Sequence, residues 1–232
     1  MNWEANHVYA PARQALLEAL CANPALENAL YVVDRLDGFL MDEHSGPYPL
    51  PEVGLLVMRE VYSGERRLLR WTENEIVSWQ PLKGPEDLAV ISADSLGEDT
   101  YISHLYAPPA SFLRFLKATS QQTYTPLAFY HHTTFNGVTE EEFAWIYGSG
   151  EERLYVRNGD TTVAMHTQRG REVLTNENVL SLVLRHFGIP LSGGAEAPFF
   201  PLHRMSFPWL RYRLDCASVD WQPPEDESTV SS

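Results

Sequence analysis

Residues 126–166 read PLAFYHHTTFNGVTEEEFAWIYGSGEERLYVRNGDTTVAMH. Runs rich in aromatic and β-branched residues are separated here by Asn136-Gly137, Gly148-Ser149-Gly150 and Asn158-Gly159, which are turn formers rather than helix formers. The stretch therefore predicts a continuous antiparallel meander from about 126 to 166. Asn158-Gly159 suits the positive φ angles of a type I′ turn. Counting outward from that turn pairs Arg157 with Asp160 and Leu154 with Val163, which places Leu154, Val156, Val163 and Met165 on one core-facing surface.

Outward from the meander, Pro108 and Pro109 introduce a helix bearing Phe112, Leu113, Phe115 and Leu116, whose apolar face is expected to pack on the sheet. A second helix is expected after Thr175 as N-cap, through Val179, Leu180, Val183 and Phe187, with Arg185 and His186 in its last turn and a stop at Gly188. Toward the N-terminus, one helix enters at Pro11 and repeats Ala15, Leu16, Ala19 and Leu20. Another is expected from Asn23-Pro24 through Leu26, Leu30 and Val33. A loop follows at 44–51, then a hairpin of GLLVMREVY and ERRLLRW about Ser63-Gly64 with Glu60 opposite Arg67, and a strand within 86–96. The fold class is thus α+β: an antiparallel meander sheet with N-terminal helices and helices packed on one face. Residues 1–222 form one domain, and 223–232, PPEDESTVSS, read as an acidic disordered tail.

The length of 232 residues and 44% hydrophobic content suit one packed domain. With 31 Asp and Glu against 17 Lys and Arg, the net charge of −14 repels phosphate backbones and anionic lipid surfaces. Nucleic acid and membrane are poor partners for such a field; a basic protein is a better one, although net negative charge also serves solubility alone. The two cysteines, Cys21 and Cys216, are far apart and outside any CxxC pattern, which speaks against a secreted disulfide scaffold. The opening MNWEANHVYAPARQ has no apolar core of a signal peptide, so a cytoplasmic location is expected.

Candidate chemistry is sparse. His131 and His132 invite a metal, but neighbours on a strand point to opposite faces, and no metal motif accompanies them or His104 and His166. Ser149 in YGSGE lacks the strand–turn–helix setting of a nucleophile, and no phosphate-cradling loop is present. No cofactor and no metal are expected. Glu140, Glu141 and Glu142 beside Trp145 and Tyr147 read either as an acid/base cluster or as a solvated charge run. With Glu151 and Glu152 they make this stretch an acidic, aromatic recognition patch for a basic partner. Arg204, Arg211 and Arg213 among Phe207, Trp209 and Tyr212 imitate a nucleic-acid stacking strip, against which the global charge argues.

The layout of N-terminal helices, hairpins, a helix with FLRFL, the meander EFAWIYGSGEERLYV and a helix before a basic aromatic end resembles bacterial toxin-immunity proteins. That resemblance implies an inhibitor that binds and neutralises a cognate toxin domain acting in the cytoplasm, without catalysis, through Glu140, Glu141, Glu142, Trp145, Tyr147, Glu151 and Glu152. The alternatives are a small hydrolase or transferase with an unrecognised site, and a non-catalytic regulatory binding module.

Overall fold

The computed structural model describes residues 3–23, 26, 28–34, 50–59, 102, 108, 110–136, 138–148, 151–157, 162–189, 202 and 207–219. Strands β1 (Trp3–Pro11), β2 (Leu30–Val33), β3 (Leu55–Arg59), β4 (Leu127–Phe135), β5 (Val138–Gly148), β6 (Glu151–Arg157), β7 (Thr162–Thr167) and β8 (Gly170–Thr175) form one sheet. Their order is β2-β3-β1-β4-β5-β6-β7-β8, and every neighbouring pair is antiparallel. Helices α1 (Gln14–Cys21), α2 (Ala110–Thr123) and α3 (Val179–His186) cover it. The α+β class and the meander from residue 126 onward are both present, and the meander continues one strand further, to Thr175.

Both faces of the sheet are buried. On one face Leu16, Leu17 and Leu20 of α1 and Phe112, Leu113 and Leu116 of α2 pack on Val8, Phe129, Phe143, Trp145 and Leu154. On the other, Val179, Leu180, Val183 and Leu184 of α3 pack on Tyr9, Tyr130, Ile146 and Tyr155, with Phe207, Trp209 and Tyr212 beside them. The expectation of helices on one face is corrected accordingly. The alternation of Phe129 with Tyr130, and of Trp145 with Ile146, is the strand period of two feeding two cores at once.

The N-terminal reading needs two further corrections. Trp3–Pro11 is a strand between β3 and β4, paired from Trp3–Thr134 to Tyr9–Ala128 on one edge and from His7–Arg59 to Pro11–Leu55 on the other. Leu30–Val33, expected to be helical, is strand β2 against β3. Its LYVV sequence is too short and too β-branched for a helix without tertiary help, and the β3 edge supplies ladder partners instead. β1 and β2 occupy both edges of Leu55–Arg59, and the ERRLLRW half of the expected hairpin lies outside the described residues. The expected Glu60–Arg67 pair, the loop at 44–49 and the strand within 86–96 lie outside the described residues.

In the meander, Asn136-Gly137 connects β4 to β5 with Phe135 opposite Val138, and Asn136 has φ +51°. The β6–β7 register differs from the expectation: Arg157 pairs with Val163 and Leu154 with His166, so residues 158–162 separate the paired positions. A tight two-residue connection is excluded. The shift is odd, so Val163 and Met165 change faces and pack with Tyr155 rather than with Leu154 and Val156.

Helix α3 is capped by Asn178, whose Oδ1 accepts from the Ser181 N–H at 2.8 Å, and not by Thr175, which ends β8. Its exit matches the sequence: Gly188 adopts φ +80°, and its N–H donates to the Arg185 carbonyl at 3.0 Å.

Cys21 and Cys216 form a disulfide, with Cα atoms 5.2 Å apart across 195 positions of sequence. The sequence reading did not pair them. Spacing along the chain carries no information about such a pair, because tertiary packing alone brings α1 and the C-terminal segment together. That segment is held in three further ways. The Leu214 N–H donates to the Leu30 carbonyl at 3.0 Å, Arg213 bridges to Tyr31 on the β2 edge, and Gln14 Nε2 donates to the Val219 carbonyl at 2.9 Å.

Candidate functional site

The acidic and aromatic run expected to form one patch is strung along β5, and the strand's length divides it. At about 3.4 Å per residue, Glu140 sits roughly 27 Å from Gly148. Trp145 and Tyr147 point into the α2 side of the core, each 3% exposed, so neither ring is an interface surface. Glu142 is also buried, which corrects its reading as part of a solvated recognition face. Glu140 is exposed and Glu141 half-buried, at one end of the sheet.

Glu142 holds α3 to the sheet. Its Oε1 accepts from the Tyr130 hydroxyl at 3.0 Å and from the Leu180 N–H in the first turn of α3 at 3.1 Å, while Arg157 Nη1 lies 3.5 Å from Oε2. Burial raises its pKa, and the Leu180 N–H, Arg157 and Tyr130 pull it back only in part. Glu142→Ala removes the acceptor from a hydroxyl, a helix N–H and a guanidinium together. We expect it to cost roughly 3–5 kcal/mol of unfolding free energy in urea titrations, and Glu142→Gln, which keeps an acceptor oxygen, much less. Equal losses for the two variants would show that the carboxylate does not organise this contact.

His131 and His132 point to opposite faces, as strand geometry requires. His131 stacks on Phe143 with centroids 4.8 Å apart and places Nδ1 2.7 Å from Asn6 Oδ1; His132 Nε2 lies 3.1 Å from Thr139 Oγ1. Among the described residues no group of three or more His, Cys, Asp or Glu side chains is placed to hold a metal ion. Phe207, Trp209 and Tyr212 are buried in the α3-side core, so they present no stacking surface to nucleic-acid bases. Arg59 instead lies over the Trp209 ring at 4.1 Å.

The opposite end of β5 opens into a cleft of about 500 Å³. Helix α2 lines it with Lys117, Ser120 and Gln121, and the β5–β6 turn with Tyr147, Gly148, Glu151 and Glu152; Gln168 reaches it from the β7–β8 connection. Ser120 Oγ donates to the Tyr147 carbonyl at 3.1 Å and ties the helix to the strand. Lys117 Nζ pairs with Glu152 at 2.8 Å, and Arg153 Nη2 with Glu151 at 2.6 Å. Where the chain leaves α2, Tyr124 takes φ +51° and stands 87% exposed on the rim, its carbonyl accepting from Arg13 Nη1 at 3.1 Å. A large exposed ring in a left-handed conformation is a local cost in backbone energy, of the kind that clusters at binding sites.

Comparison with protein-family models, with curated proteins and with solved structures returns no match. The geometry of the chain itself therefore carries the functional argument. Of the seven expected site residues, Tyr147, Glu151 and Glu152 line the cleft, while Glu140, Glu141, Glu142 and Trp145 do not. Lys117, Gln121, Tyr124 and Gln168 escaped the sequence reading. The one signal available for Tyr124 was its place in TYTP, between a helical run and a proline.

Gly148 allows the cleft floor to close. A Cβ at this position would meet Pro126 Cβ at 2.9 Å, with the Pro126 backbone at 3.2 Å behind it. Gly148→Val is therefore expected to lose about 1–3 kcal/mol of stability by overpacking. An unchanged denaturation midpoint would show that the β4 entrance yields freely.

Proposed function

We propose that this chain is an inhibitor of the toxin-immunity kind, a protein without cofactor that binds and occludes a basic toxin domain in the cytoplasm. The observation that carries the reading is the rim of the cleft, where the exposed Tyr124 ring stands beside Glu151 and Glu152 on a chain of net charge −14. An aromatic anchor bordered by steering charges is the usual composition of a protein-recognition surface. Among the described residues no helix is long and apolar enough to cross a membrane. A cytoplasmic site of action also implies that glutathione holds Cys21 and Cys216 as thiols, so the domain must remain folded without their bond.

The test is binding kinetics with the toxin domain encoded beside this chain's gene, together with the toxin's activity. Reversing Glu151 and Glu152 to Lys should slow association about tenfold at low salt and less at 0.15 M, where charge is screened over roughly 8 Å. Reversing Glu140 and Glu141, at the far end of β5, should change it little. Absence of a complex, or a complex that leaves the toxin fully active, would overturn the reading.

A further inference from the structure

Strand β8 ends the sheet. Gly170, Arg171, Glu172, Val173 and Thr175 are exposed, Leu174 is half-buried, and among the described residues no strand pairs beyond them. The opposite end is finished differently: the Tyr31–Arg213 bridge and the bond from the Leu214 N–H to the Leu30 carbonyl lay the C-terminal segment along β2. An uncovered edge is a template for another strand, and proteins blunt it with proline, a bulge, a covering segment or charge. GREVLT has no proline, and its six pairs with β7, from Thr162–Thr175 to Thr167–Gly170, run without a register shift. Only Arg171 and Glu172 guard it.

The hairpin decides which backbone groups point outward. Thr167 and Gly170 close a two-residue connection as a hydrogen-bonded pair, and such pairs alternate along an antiparallel ladder. Gly170, Glu172 and Leu174 therefore bond to β7, while the N–H and C=O groups of Val173 and Thr175 turn away from it. Val173 also carries a side chain 45% exposed in the middle of this edge.

We infer that β8 pairs with β8 of a second copy of this chain, antiparallel about a two-fold axis through Val173. An axis normal to the sheet keeps both faces continuous, so only residues on the same face of the two strands stand opposite each other. Centring the pair on Arg171 sets two guanidiniums opposite, and centring it on Glu172 two carboxylates; like charges so placed repel. Centring on Leu174 keeps only 173–175 in register before β8 ends, and uses a side chain that already packs on the α3-side core. Centring on Val173 keeps 171–175 in register and joins the two exposed valines. Arg171 then faces Thr175 of the other copy and Glu172 faces Leu174, while the two Val173 residues exchange a pair of N–H···O bonds. Because the C-terminal segment lies along β2 in both copies, the assembly closes at two chains instead of growing into a fibre. Two chains of net charge −14 repel, and a single-strand interface is small, so the dimer is weak and tightens as salt screens the repulsion.

The experiment is sedimentation velocity on the whole protein over about a hundredfold range of concentration, in low salt and at roughly 0.5 M. A monomer–dimer equilibrium is expected, about fivefold tighter in the higher salt. Val173→Lys keeps every backbone group and puts two ammonium groups at the axis, and it should weaken the dimer about fivefold or more. Val173→Pro removes an N–H that β7 does not use and should weaken it at least as much. Val138→Lys makes the same charge change at another exposed valine, in β5, and should leave the equilibrium as in the wild type. Amide exchange at Val173 and Thr175 should slow as the protein is concentrated, with urea midpoints confirming that each variant is folded. A monomer at every concentration and salt, wild-type dimerisation in both Val173 variants, equal losses at Val138, or assemblies that grow beyond two chains would each overturn the inference.

Discussion

Lowering the pH from 7 to 5 is expected to remove roughly 5–6 kcal/mol of folding stability, about 2 kcal/mol for each of three buried histidines. Burial is the first cause in each case. It lowers the pKa of His7 and of His131 to about 3 and that of His132 to about 4, with Arg59 beside His7, His132 beside His131 and Arg157 beside His132 adding to it. In the unfolded chain these rings take up protons near the ordinary histidine value of 6.5. Between that value and the folded values the unfolded state binds more protons, so stability is fully present above about pH 6.5 and drains away as pH falls. Half-buried His166 and exposed His186 are lowered in the same direction and add smaller amounts that solvent screens. Glu142 works the other way. Its raised pKa means the folded state takes up a proton first, returning part of the loss as pH falls through the carboxylate range. Urea midpoints measured from pH 7.5 to 4.5 should fall steeply, and the slope should flatten when His131 is replaced by Gln. A midpoint constant between pH 7 and 5 would mean that these rings are hydrated in the folded protein.

The second large effect belongs to the disulfide. Closing a loop across 195 positions removes about 5 kcal/mol of unfolded-chain entropy in the chain-entropy argument, although native disulfides typically contribute about 2–4 kcal/mol. Reduction, or replacement of Cys21 and Cys216 by Ser, should therefore lower the unfolding free energy by about 2–5 kcal/mol. The loss should appear first where the bond acts. Amide hydrogens of Leu214 and of residues 216–219 should exchange faster than those of β4 and β5, because the cross-link and a few hydrogen bonds to α1 and β2 hold that segment. Uniform acceleration across the sheet would instead mean that the bond acts only by restricting the unfolded chain. The outcome also bears on the cytoplasmic proposal, since a domain that unfolds when reduced could not work among glutathione-reduced thiols.

Local rules were enough wherever an element is specified by residues close together in the chain. The β4–β5 hairpin follows from the Asn-Gly signal, since Asn is among the few non-glycine residues that accept the positive φ seen at position 136. The amphipathic period of α2, the Gly188 stop of α3 and the division of His131 from His132 across the sheet follow equally from the chain's own periodicities. Elements whose identity depends on distant partners were not legible. WEANHVYAP has no alternation of its own and becomes a strand because β3 and β4 flank it, and LYVV becomes one because β3 offers an edge. The same limit governs the site. Charge and aromatic content along 140–152 singled out the acidic stretch, but the eleven residues of β5 separate Glu140 from Glu151, which opens β6 opposite Gly148, and two buried faces draw Glu142, Trp145 and Tyr147 inward. Composition records which groups a chain possesses. Which of them face water, and which share one cleft with Lys117, Tyr124 and Gln168, was settled by helix and strand packing across long loops, because burial is a property of neighbours that sequence distance does not encode.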